Sequence, residues 1–102
     1  MLNKRVFNRV KFNNPIIATI ELKTLSFNDV FNSADVIKIY VLDLSAGGLK
    51  FAHKVEFMVN FLTIYKINLQ LIGKNLDFYG KIIRKRKLPN HFFEYGFKFE
   101  FN

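Results

Sequence analysis

Two arginines four residues apart, Arg5 and Arg9, stand near the start of the chain, and an acidic, glycine-ended stretch, Asp43-Leu44-Ser45-Ala46-Gly47-Gly48, follows one strand-rich interval later. A guanidinium forks onto phosphate oxygens, pairs in bidentate fashion with the Hoogsteen edge of guanine and stacks on a base plane; a lysine ammonium offers only a point charge. The even spacing sends the Arg5 and Arg9 side chains to one side of the chain, whether the segment is extended or makes a helical turn. Ionised Asp43 is an acceptor-only group, well matched to the donor edge of guanine, and Ser45 adds a small hydroxyl beside it. Gly48, and Gly47 with it, would let the chain turn and a ligand lie close to the backbone. Each stretch also has a plain structural reading: two solvated arginines in a basic N-terminal segment, and an ordinary hairpin connection with local turn hydrogen bonds.

The chain that must position these groups has 102 residues, half of them apolar and 13 of them Phe, enough for one domain with a real core. Sixteen basic residues against 8 acidic ones give a formal charge of +8, which attracts nucleotides, nucleic acid and acidic membranes alike. The absence of cysteine excludes disulfides, thiolate metal sites and cysteine nucleophiles. No apolar run approaches the roughly 18 residues of a membrane-spanning helix. The basic start, Met1-Leu2-Asn3-Lys4-Arg5, passes to Phe7-Asn8-Arg9 without a signal-peptide apolar stretch. A soluble cytoplasmic protein is the expectation.

Period-two alternation dominates the pattern. Phe93, Tyr95, Phe97, Phe99 and Phe101 line one strand face against Glu94, Lys98 and Glu100. Ile37, Ile39 and Val41 alternate with Lys38 and Tyr40, and Ile67, Leu69 and Leu71 with Lys66, Asn68 and Gln70. An earlier strand is expected over Ile16 to Leu22, its beginning limited by Pro15, and another over Leu76 to Arg86. Turns are expected at Gly47-Gly48, at Gly73-Lys74-Asn75 and within Leu88-Pro89-Asn90-His91. Between Thr24 and Asp35 the pattern weakens to a loop with a helical turn around Phe27 to Phe31. About six strands with short links favour a closed antiparallel barrel, which removes the edges that Phe-rich strands would otherwise expose.

Read together, Arg5-Val-Phe-Asn-Arg9 and Asp43 to Gly48 spell RxxxR followed by DxSxxG, which resembles the paired signature of the PilZ family. The closing Tyr95-Gly96-Phe97-Lys98-Phe99 and the strand order also resemble a PilZ barrel, from about Leu2 to Phe101. The resemblance implies a single all-β domain over 1–102, a six-stranded antiparallel barrel, with 1–12 as a flexible arm carrying RxxxR. Many PilZ domains finish with a helix after the last strand, and none is expected here. The implied function is a bacterial cyclic di-GMP receptor that orders its arm on binding and signals to a protein partner or adjoining domain, in control of motility, exopolysaccharide or biofilm. The resemblance implies Arg5, Arg9, Asp43, Ser45 and Gly48 as ligand contacts, with Lys4 as an accessory; the turn and the basic run themselves add Gly47 and Arg84 as accessories, and no cofactor other than that ligand is expected. Lys4 stands where many members carry a further arginine, supplying charge without guanidinium stacking.

The remaining chemistry is thinner. Arg84-Lys85-Arg86-Lys87 is the densest basic run, either a solvated strand end or an added contact for phosphates. With exposed aromatics it would also serve a rival reading, a small basic barrel binding RNA or single-stranded DNA. His53 falls in phase with Leu49, Phe51, Val55 and Phe57 and reads as a hydrogen-bonded core histidine; His91 sits in a turn with no carboxylate pair at metal-ligand spacing. Ser45, Asp43 and a distant histidine lack the strand-turn-helix context of a nucleophile elbow, so neither hydrolysis nor metal catalysis is expected.

Overall fold

The computed structural model describes residues 9–23, 36–57, 59 and 62–100. Among the described residues there are six strands, β1 (Val10–Leu22), β2 (Val36–Leu44), β3 (Gly48–His53), β4 (Tyr65–Leu71), β5 (Lys74–Lys87) and β6 (Phe93–Phe99), and one 3-10 turn at Pro89–His91. All pairings are antiparallel, and the sheet closes on itself in the order β1-β2-β3-β6-β5-β4. The all-β barrel expected from the alternation is therefore the fold.

Alternation decides what faces inward. Ile39 and Val41 from β2, Leu49 and Phe51 from β3, Ile67 and Leu69 from β4, Ile82 from β5, and Tyr95, Phe97 and Phe99 from β6 are buried in one core, joined by Ala18 and Ile20 of β1. Phe78 stacks on Phe99 with ring centroids 4.6 Å apart, and Phe51 on Tyr95 at 5.0 Å. Large side chains thus fill the interior of this small barrel, as its strand number requires.

Three boundaries differ from the sequence expectation, each for a local reason. Pro15 does not limit β1: the strand runs through it, and the register with β2 shifts between Lys11 and Ile16. Proline lacks only a donor, and an irregular stretch of ladder does not need that donor. The β4–β5 turn is Ile72-Gly73, both at positive φ (52° and 72°), so Lys74 and Asn75 already belong to β5. Val10 to Phe12, the last residues of the expected arm, lie in β1, with Val10 opposite Leu44 and Lys11 opposite Asp43. The expected loop and helical turn between Thr24 and Asp35 lie outside the described residues.

One polar contact ties the chain after β3 to the core. The Tyr95 hydroxyl accepts from the Phe57 backbone N–H at 2.7 Å and donates to the Val55 carbonyl at 3.1 Å. Phe57 in turn packs edge-on against Phe51 and Tyr95. Burial raises the Tyr95 phenol pKa above its ordinary value. Tyr95→Phe removes both bonds, and the expected loss is about 1–2 kcal/mol. That corresponds to a melting temperature lower by about 4–8 °C per kcal/mol for a domain of this size. An unchanged melting curve would show that the hydroxyl holds nothing.

Candidate functional site

Strict period two would send Asp43 into the core behind Ile39 and Val41. A bulge prevents this: β2 pairs Val41 with Phe51 but Asp43 with Lys50, so Leu42 is an extra residue on the β2 side. Bulges re-aim the side chains that follow them. Asp43 joins the outer row, flanked by Lys50 of β3 on one side and Lys11 of β1 on the other. Lys50 faces outward because its neighbours Leu49 and Phe51 are buried.

Although it stands on the outer row, the Asp43 side chain is only 5% exposed. Arg9, one residue before β1, covers it: Nη1 donates to Asp43 Oδ1, and Nη2 donates to Ser45 Oγ at 3.3 Å. One guanidinium thus bridges the carboxylate and the hydroxyl, using the fork that makes arginine suited to such sites. The Arg9 side chain itself remains 39% exposed.

The turn beneath is tightly bonded. Ser45 N–H donates to the Gly48 carbonyl at 2.8 Å, Ser45 Oγ donates to the same carbonyl at 3.2 Å, and Gly47 N–H donates to Ser45 Oγ at 3.3 Å. With Arg9 and Gly47 donating to it and Gly48 accepting from it, the Ser45 hydroxyl has one donor and two acceptor positions in use, its full complement. The Phe99 N–H donates to the Gly47 carbonyl at 3.0 Å, pinning the turn to the end of β6.

Sequence reasoning expected Gly48 to permit a turn and a close ligand, but neither Gly47 nor Gly48 has positive φ. A Cβ on Gly48 would stand 2.2 Å from the Phe97 carbonyl oxygen. The glycine is required because β3 and β6 approach closely at the start of their pairing. Of the other expected contacts, Arg84 stands exposed on β5 opposite Gly96, while Lys4 and Arg5 lie outside the described residues. The basic run is not uniform, because Lys85 pairs with Glu56 and Arg86 with Glu94. His53 is half-buried; its Nδ1 accepts from the Val55 N–H at 2.7 Å, and burial lowers its pKa. His91 is exposed, and among the described residues no cluster of His, Asp and Glu could hold a metal ion. No helix of the described residues is long and apolar enough to cross a membrane.

The bulge was missed from sequence, although a signal for it existed: a carboxylate in phase with Ile37, Ile39 and Val41 must either be buried unpaired or be turned out. The flanking Lys11 and Lys50 were missed because register brings them there from other strands.

Gly48→Ala should destabilise the protein without any ligand, by roughly 1–3 kcal/mol as an overpacking change, measurable by urea denaturation. Parent-like stability would mean that the close approach to β6 can relax, leaving contact with a ligand as the reason for glycine.

A family model described as PilZ domain matches residues 3–102, nearly the whole chain. No curated protein and no solved structure matches it.

Proposed function

We propose that this chain, which belongs to the PilZ family of cyclic di-GMP receptor domains, binds that nucleotide on the outer face of its barrel, at Arg9, Asp43 and Ser45. The observation that carries this reading is one contact: Arg9, from the first of two motifs 34 residues apart, rests on Asp43 and reaches Ser45 of the second. A solvated arginine and an ordinary hairpin have no reason to meet in this way.

Each group has a role that its chemistry suits. Asp43 accepts from the ring N–H and amino donors of a guanine, which need an acceptor-only partner. Arg9 directs its fork to a phosphate or to the Hoogsteen edge, and Arg5 supplies a second fork from the same side of the segment. Because Ser45 is saturated, a ligand oxygen gains its hydroxyl only by exchange with Arg9 or Gly47. Binding therefore shifts Arg9 from protein partners to the nucleotide and draws the segment carrying Arg5 over it. Ordering that segment costs conformational entropy, which the charge-assisted bonds offset. The altered surface around the segment is what a partner protein or adjoining domain reads, in the control of motility, exopolysaccharide or biofilm.

Loss of a bidentate arginine contact costs about 1–3 kcal/mol, or roughly ten- to a hundredfold in affinity. Isothermal titration of cyclic di-GMP into Arg5→Ala and Arg9→Ala should show weakening of this size against the parent. A single dissociation constant shared by all three proteins would contradict the role given to the arginines.

A further inference from the structure

One stretch of the outer face carries apolar side chains on successive strands. Ile17 of β1 lies opposite Tyr40 of β2, and Tyr40 opposite Ala52 of β3. Ile17 is 58% exposed and Tyr40 37%, whereas the outward positions where β1 meets β4 are polar, Thr19 opposite Asn68 and Glu21 opposite Lys66. Phe92, just before β6, meets the Tyr40 ring with centroids 6.3 Å apart. Lys54, just after β3, sets its ammonium 5.7 Å from the centre of the Phe92 ring, a favourable cation–π distance.

The free charge around these rings is positive. Lys38 stands two residues before Tyr40 on the same face of β2, about 7 Å along the strand, and both Lys38 and Lys54 are exposed. Glu94, opposite Ala52 on β6, is held by Arg86 at 3.0 Å, and Glu21 by Lys66 at 3.2 Å. Among the described residues no ion pair reaches Lys38 or Lys54. The sheet is closed and offers no strand edge for a partner strand to extend, so a ligand must be met by side chains. Cations set beside an exposed ring meet the two needs of a single-stranded nucleic acid, phosphates to neutralise and unstacked bases that require a platform. The centre of a protein interface, by contrast, is depleted in lysine, and a second copy of this chain, itself at +8, would set like charges against each other.

We infer that this face binds single-stranded nucleic acid, at residues distinct from Arg9, Asp43 and Ser45 and independently of the cyclic di-GMP reading. A base stacks on the exposed part of Tyr40 with Ile17 beside it, and phosphates rest on Lys38 and Lys54. Phe92 backs the Tyr40 ring and holds Lys54 in place. Because every base has a π-face, such a site tolerates base identity and its affinity falls steeply with salt.

The test is fluorescence anisotropy of a labelled oligouridylate of about twelve nucleotides, long enough for one such site, at several salt concentrations. It is titrated with the parent, Tyr40→Ala, Tyr40→Phe, Lys38→Gln, Lys54→Gln and a charge control, Lys23→Gln, which lies about 20 Å along the chain from Ile17. Tyr40→Ala should weaken binding about tenfold, whereas Tyr40→Phe should keep it, since the ring does the stacking. Lys38→Gln and Lys54→Gln should each weaken binding at low salt and reduce the slope of log affinity against log salt by about 0.7, and Lys23→Gln should match the parent. Thermal melts identify any variant that fails to fold; if Tyr40→Ala does, the two exposed lysines carry the test. No binding by the parent at low salt would overturn the inference. So would parent-like affinity and salt slope in Tyr40→Ala, Lys38→Gln and Lys54→Gln, a result that assigns the binding to net charge alone and leaves the apolar row to a protein partner.

Discussion

A carboxylate almost removed from water must find a cation, and the contact between Asp43 and Arg9 meets that constraint. An unpartnered buried carboxylate costs several kcal/mol, so the fold that buries Asp43 also fixes where Arg9 must stand. The β2 bulge turns the carboxylate outward, and the start of β1 beside β2 brings Arg9 within reach. The hydrogen bonds of the Ser45 to Gly48 turn set the hydroxyl where the same guanidinium touches it. Two motifs far apart in the chain become one surface because a single charge needs its partner.

The filled interior explains why that surface lies outside the barrel. Phe51, Tyr95, Phe97 and Phe99 with the aliphatic residues of the other strands occupy the core, and a six-stranded barrel has no room left for a dinucleotide. Under the proposed reading recognition falls to outward residues, spaced by the sheet itself, and glycines stand where something must come close. At Gly48 it is the β6 backbone, and at Gly96 the Arg84 side chain. The strands serve as a rigid ruler that fixes the spacing of those outward residues.

What was legible in the sequence follows the range of the forces involved. Alternation in β2, β4 and β6 is local, and it gave the core faces through Ile39, Val41, Ile67, Leu69, Tyr95 and Phe97. The motif pair identified Arg9, Asp43 and Ser45, which the structure brings into contact. Pro15 misled because a proline is tolerated wherever the ladder is irregular, and the shift between Lys11 and Ile16 depends on β2. The reason for Gly48 was hidden because its neighbour, the Phe97 carbonyl, belongs to the far end of the chain.

The most direct measurement is a titration of isotope-labelled protein with cyclic di-GMP followed by nuclear magnetic resonance. Saturating nucleotide should move the backbone amides of Ser45 and Gly47 and the side-chain resonances of Arg9 most strongly, while the core amides of Ile67 and Leu69 on β4 stay in place. Resonances of Ser45, Gly47 and Arg9 that remain where they began at saturating nucleotide would contradict the assignment of that surface to the ligand.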